Sequence, residues 1–423
     1  MLRNIDLRLL KLQLGYLLIV LGGRCTQLAL AWWTLEETNS VLIFTNMIAC
    51  AITAEVLAKP LLGWIGDTYN KLLVLKINTT ISFLASSTVA ALAMAGYFNP
   101  WALGALMIIN SAAVGVRDPL QASIIPLFAS DEKVALALRT KSAFGSLAIL
   151  LGPALASGII YGAGVSLAIA FDVLAVSIAL ALTIRISTDH VHSNEKSTTL
   201  VIDLAKIYSG FKVVFRVKIE YYTALFAMLI NFSLFPFFTI LIPLYVRDII
   251  NYPVTYIGIV DSCFGLGILV CSYKGIPWIS RWIPRDLCVS LGFALLGCNL
   301  VIVGTVGIPL ILPIAFFFGG VGLMLINIPT STVRLLATPT AYRNRIFATV
   351  SFLSAIASPV GSATVGPLIA HMGIAGTITL LGATVLFLSP LILLVPDFKV
   401  FMRSEDVQLN EAYARRYPEA FNV

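Results

Sequence analysis

Charge is what this chain has least of. Lys, Arg, Asp and Glu make up 12% of its 423 residues, against 59% in the hydrophobic class, whereas an ordinary soluble protein carries about 25% charged residues. The 28 basic and 21 acidic side chains are too few to cover the roughly three soluble domains that this length would otherwise suggest. A water-soluble fold is excluded, and so is disorder, which needs low hydrophobicity and high charge. Histidine is as scarce: only His190, His192 and His371 occur. There is no HExxH, no DDxxD and no Gx4GK[ST] pattern, so neither a metal-dependent enzyme nor an in-chain ATP motor is expected. No cofactor is called for. The six cysteines (Cys25, Cys50, Cys263, Cys271, Cys288, Cys298) form no CxxC pair and mostly fall inside apolar runs, as small buried hydrophobes do. The basic N-terminal segment is followed by no small-residue cleavage site, and the apolar run continues to Trp33; a retained first span is expected rather than a signal peptide.

What the chain has instead is long apolar runs. Twelve membrane helices of about 20 residues would use about 240 residues, which matches the apolar supply. The runs lie near 12–35, 41–62, 72–97, 101–128, 134–161 and 167–184, then 221–246, 254–273, 287–306, 308–336, 346–370 and 374–395. Runs this long over-fill barrel strands and lack their alternation, so the fold class is an all-α polytopic membrane protein. The expected domains are a six-helix bundle over 1–185, a linker over 186–218, a second bundle over 219–396 and a tail over 397–423. The later part of the linker, Leu200–Val217, has apolar residues at helical spacing and suggests an amphipathic interfacial helix.

The positive residues fix an orientation. Of the 28 Lys and Arg, 24 lie in or close beside the N-terminal segment, the even-numbered loops and the tail. Short cytoplasmic loops retain such residues, so both termini are expected in the cytoplasm of a cell with the chain in its inner (plasma) membrane. The net charge of +7 is thereby explained without nucleic acid as a partner. The halves echo each other at an offset near 206 residues: Gly152-Pro153 answers to Ser358-Pro359, Arg139 to Arg345 and Glu55 to Asp261. Duplication of this kind is the mark of transporters that bind cargo where their repeats meet.

These features resemble the major facilitator superfamily over essentially the whole chain. The run Gly63-Trp64-Ile65-Gly66-Asp67-Thr68-Tyr69-Asn70-Lys71 is similar to that family's signature G-x-x-x-D-R-x-G-R-K, with Thr68, Asn70 and Leu72 as departures. Asp118-Pro119, Ile125-Pro126 and Gly152-Pro153-Ala154-Leu155 look like the branch holding macrolide-efflux and siderophore-exporting members, and Gly152-Pro153 resembles the core of the antiporter motif. The resemblance implies that Asp67 latches the two halves with Lys71, Arg139 or Arg345, and that Gly152, Pro153 and Pro359 serve gating. Small residues permit close helix approach and Pro bends a helix.

Ionisable residues inside spans are expensive and usually face a cavity. Glu55, Arg117 and Arg24 fall about 18, 16 and 20 Å from the basic ends of their spans at the α-helical rise, near the midplane, where they are expected to converge. Gln27 shares a face with Arg24, and Asn110 and Gln121 share one with Arg117; Asn327 begins a polar stripe with Thr330, Ser331 and Arg334, and Asn231 is assigned to the same cavity. By resemblance to the family, these spans line the central cavity. Glu55, Asp118 and Asp261 are candidates for proton coupling, because a carboxylate released from an Arg takes up a proton and one paired to it gives the proton up. Asp172, in a span that lies outside the cavity in this fold, reads as structural.

The expected activity is secondary transport: export of a small organic compound such as an antibiotic, siderophore or peptide-like metabolite, driven by protons, by a monomer in a lipid bilayer. The competing reading is an importer or a lysophospholipid flippase on the same scaffold. Two cavity arginines favour an anionic or zwitterionic cargo.

Overall fold

The computed structural model describes residues 7–62, 69–128, 131–186, 204–279 and 281–421. Every regular element among them is a helix. α1 (Leu7–Thr38), α2 (Val41–Leu62), α3 (Lys71–Met94) and α4 (Pro100–Phe128) are single spans, and α5 runs from Asp131 to Ile184. After it come α6 (Leu204–Arg216), α7 (Lys218–Pro236), α8 (Thr255–Val270), α9 (Arg285–Val306), α10 (Leu312–Ala337) and α11 (Arg343–Leu391). Four short helices close the chain: α12 (Phe398–Arg403), α13 (Asp406–Leu409), α14 (Ala412–Arg416) and α15 (Pro418–Phe421). α7 continues through π-helical turns at Phe237–Leu241 and Tyr245–Ile249.

Ten helices among the described residues are long and apolar enough to cross a membrane. Two of these do double duty. The 54 residues of α5 would stretch about 80 Å if straight, far beyond a hydrocarbon core of about 30 Å. Instead α5 turns at Gly164 (φ 84°), and the 49-residue α11 turns at Gly373 (φ 75°), in backbone that only glycine adopts without strain. Each turn falls where the sequence places a break between two apolar runs, between 134–161 and 167–184 and between 346–370 and 374–395.

The chain divides into two compact units. The first comprises residues 1–202 and 251–262, the second residues 203–250 and 263–423. Within the first, α1 packs along α5, α2 along α4, and α3 against both α4 and α5. Glycines set the spacing: a Cβ at Gly115 would strike the Glu55 carbonyl, and one at Gly22 would strike Asp172. Within the second, α9 packs on α10 and α11, and α7 on α11. The linker helix α6 lies against α11, with Val213 and Val214 fully buried and Phe211 edge-on to Phe352. Its apolar face therefore has a protein partner and not only lipid.

Candidate functional site

The first unit carries its charges in two groups. One is wholly internal. Arg117 of α4 is 3% exposed; its Nε donates to Asn78 Oδ1 at 3.1 Å and its Nη2 to the Ser82 hydroxyl, both on α3. Asn78 in turn donates to the Ala113 carbonyl at 2.9 Å. Asp172, 1% exposed, accepts from Thr26 at 2.9 Å and Ser86 at 2.8 Å. Four helices are thus tied through one buried polar cluster, whose groups have the partners that burial demands. Arg117 takes its partners inside the bundle, where the sequence reading had placed it on a cavity face. Asp172 has the structural setting expected of it.

The other group is more open. Arg24 is exposed, with Nη1 donating to Gln27 Oε1 at 3.2 Å. The stem of Arg24 crosses α5 at Gly152, where an added Cβ would lie 2.9 Å from Arg24 Cβ; the glycine of the Gly-Pro pair is what admits the arginine. Tyr16 and Lys141 join this face, and sequence reasoning missed both. The Lys141 ammonium sits 5.1 Å from the centre of the Tyr16 ring and donates to the Asp118 carbonyl at 3.1 Å. With Gln13 and Gln121 they line a cavity between α1, α4 and α5. Tyr16 was legible: it stands eleven residues, three helical turns, before Gln27 and so on the same face. Lys141 had been grouped with the loop cations that set orientation.

The start of α8 belongs to the first unit, and there it meets α5. A Cβ at Gly258 would collide with Ser157 and crowd Pro153, and Ser262 donates to the Leu150 carbonyl at 3.2 Å. One turn along, Asp261 Oδ1 is buried and no group among the described residues donates to it, while Arg24 is near enough for its charge to act on the carboxylate. A buried carboxylate oxygen with no donor is costly unless it is protonated or waits for a partner.

The three carboxylates proposed for coupling therefore differ. Glu55 pairs with Lys59 at 3.1 Å, four residues on in the same helix, and both side chains are about a third exposed. Asp118 lies beside Tyr16, Arg117 and Lys141. Asp261 has an unpartnered oxygen. Arg24, Glu55 and Arg117, expected to converge, take three separate sets of partners.

Of the gating residues, Asp67 lies outside the described residues, as does the side chain of Arg139. Lys71 opens α3 behind Asn70, whose side chain accepts from Leu72 and Leu73. Arg345 stacks 5.1 Å above the Tyr342 ring. Pro153 and Pro359 both lie inside helices. Asn110, Asn231 and Asn327 are at least partly exposed on their helices; Asn231 donates to the Ala227 carbonyl at 2.9 Å, and Asn327 lies one turn before Thr330. Arg334, read from the sequence as part of the Asn327 stripe on a cavity face, is instead buried against a residue that reading missed: it donates to Glu220 at 2.6 Å, and Glu220 also accepts from Tyr413 at 2.8 Å.

Two helical units, membrane-length helices that turn at Gly164 and Gly373, and charges held within apolar helices describe a polytopic membrane protein. The sequence model of the Major Facilitator Superfamily matches residues 12–362, so the chain belongs to that family. It is 20% identical over 351 residues to an uncharacterized MFS-type transporter, YvqJ of Bacillus subtilis (strain 168), covering 80% of each chain. Among solved structures it resembles a POT family transporter in complex with 5-aminolevulinic acid (12% identity, TM-score 0.73, 92% and 96% of the two chains). It is also similar to the nucleoside transporter NupG (14% identity, TM-score 0.69, 92% and 100%). At such identities the likeness is one of fold. The protein is a multi-pass membrane transporter of this superfamily.

Proposed function

We propose that the protein is a proton-coupled exporter of a small anionic or zwitterionic organic compound, working by alternating access as a monomer in the plasma membrane with both termini in the cytoplasm. The observation that carries this reading is the unpartnered Asp261 oxygen close to Arg24, whose stem crosses α5 at Gly152. An acidic side chain in that position has two low-energy states: protonated when alone, or ionised when a guanidinium is brought against it. Movement of Arg24 relative to Asp261 converts one into the other, and a conformational cycle that does this carries a proton each turn. Arg24 then serves coupling and cargo alternately, because an anionic cargo group competes with Asp261 for the same guanidinium. Asp118 and Glu55 act secondarily, since each already lies beside a lysine. Gln27 and Gln121 orient the cargo next to Arg24 and Lys141.

The outward direction rests on the resemblance of the Gly152-Pro153 pair to the antiporter motif. A test of both parts uses everted vesicles energised with an acidic interior. Candidate compounds, acidic and basic in matched pairs, should dissipate the pH gradient when the wild-type chain is present, with acidic members the more effective. Asp261→Asn should abolish that dissipation while compound-induced thermal stabilisation of the purified protein persists. Full proton-coupled activity in Asp261→Asn, Asp118→Asn and Glu55→Gln alike would sink the mechanism. Gradient-driven accumulation only in right-side-out vesicles would reverse the direction.

A further inference from the structure

The last 25 described residues, 397–421, return to the second unit through a series of polar and apolar contacts. After Asp397, which adopts a left-handed conformation (φ 61°), α12 lays Phe398, Phe401 and Met402 into the unit, all nearly fully buried. Arg403 then grips Asp286 at the start of α9 with two nitrogens, at 2.8 to 3.1 Å, and Asp286 is 0% exposed. Asp406 bonds Arg285 at 2.7 Å. Glu411, again left-handed (φ 51°), donates its backbone N–H to the Leu336 carbonyl in the last turn of α10. Non-glycine residues in this region persist only where surrounding contacts over-determine them, so the path of the segment is fixed.

Tyr413 is the centre of the arrangement. It is 1% exposed and edge-on to Phe401 at 5.0 Å, and its hydroxyl donates to Glu220 Oε1 while Arg334 occupies Oε2. Burial, and then the Glu220 charge, hold the Tyr413 phenol above its ordinary range, so that it remains a donor. The pair joins α7 to α10, and the phenol fills the acceptor capacity that the guanidinium leaves open. Beyond it, Arg216 of the linker helix donates to the Glu419 carbonyl at 2.8 Å, and Tyr342, just before α11, donates to the Phe421 carbonyl at 3.1 Å. One segment thus touches α6, α7, α9, α10 and the approach to α11, all at the same basic end of the unit.

The geometry points to a regulatory strap: residues Asp397–Phe421 hold the basic end of the second unit closed, with Tyr413 as the pin that locks the Glu220–Arg334 pair between α7 and α10. In an alternating-access protein the ends of such helices must separate and rejoin, so a segment tied to the ends of α7, α9 and α10 sets how readily that end opens. The strap is independent of which carboxylate carries a proton.

Hydrogen exchange on the purified full-length chain, on a variant ending at Pro396, and on Tyr413→Phe and Arg403→Gln tests this. Without the strap, amides over 218–224 and 331–338 should exchange about tenfold faster or more, while those of α1 to α5 change less than about twofold. Tyr413→Phe should speed the same two segments several-fold, and Arg403→Gln chiefly the start of α9. A cysteine introduced at half-buried Ser331 of α10, with exposed Cys50 and Cys298 replaced by Ser, should react with a maleimide several-fold faster once the strap is cut. A tail that merely adds stability would lower the melting midpoint and leave that labelling rate unchanged, which would overturn the proposal. Loosening of both units alike would do the same. If the shortened chain does not fold, unchanged exchange in Tyr413→Phe is sufficient to reject the strap.

Discussion

The two units share their corners and differ in their charges. Asn39 and Asn251, Gly96 and Gly307, Gly164 and Gly373 all have positive φ, and each pair stands at the same joint of the two repeats, about 210 residues apart. A left-handed corner admits few residue types, so the duplicated joints retain Gly or Asn. Interior polar groups have no such restriction. In the first unit, Arg117 and Asp172 are buried in mid-bundle and satisfied by Asn78, Ser82, Thr26 and Ser86. In the second, a direct buried pair is Glu220 with Arg334, at the basic end, completed by the tail residue Tyr413. Backbone geometry records the duplication; charge placement records what each half has since been made to do.

The comparison breaks first at the ion pair. Glu220→Leu leaves Arg334 buried without its carboxylate and should destabilise the second unit by about 3–5 kcal/mol, visible as a lower melting midpoint in detergent and as faster exchange confined to that unit. Arg117→Met removes hydrogen bonds from a charged donor and strands the acceptors on Asn78 and Ser82, at about 2–3 kcal/mol, with faster exchange confined to the first. If either variant loosens both units equally, the charges are not private to their halves.

Much of this was legible in the sequence, for physical reasons. Length and hydropathy fix membrane helices because backbone groups in lipid must be satisfied within the segment. The Gly-Pro pair of α5 and Pro359 stood out because those residues have few structural uses inside a helix. Arg24 was found by its price in the membrane, and Gln27 by its helical phase. Lys141 and Glu220 were not found: Glu220 sits in the first turn of α7, where a charge is unremarkable, and Lys141 follows other basic residues that read as setting orientation, so only the packing of the tail on α7 and of α1 on α5 shows them to be interior. Arg117 was placed on a cavity face because helical phase tells which residues share a side but not which neighbour that side meets. The tail offered no signal: its anchors are spread over four short helices of 4 to 6 residues, below the length at which periodicity speaks.

Smaller effects sharpen the likeness of the corners. No atom lies within 4 Å of a Cβ added at Gly164 or Gly373, so Gly164→Ala and Gly373→Ala test backbone strain alone. Each should lower stability by about 1–3 kcal/mol, and by similar amounts, as read from paired melting curves. A large difference between them would mean that one corner is held by something other than conformation.

The smallest effect is a pH dependence expected in the tail of the second unit. The Asp397 carboxyl is lowered from its ordinary value, first by the hydrogen bond from Tyr417 and then by Arg416, with Lys218 adding its charge. A depressed folded value stabilises the docked tail above the unfolded carboxylate value of about 4, and that contribution disappears as pH falls below it. Amides of α12 and α14 should therefore lose protection on acidification while those of α3 keep theirs, after correction for intrinsic exchange. Asp397→Asn should flatten the dependence, because Asn tolerates the left-handed backbone at this position yet carries no titrating charge. A response equal in wild type and Asp397→Asn would assign the acid sensitivity to another group, and the tail would then be held by Arg403, Tyr413 and its apolar anchors, with no contribution from the charge at its first turn.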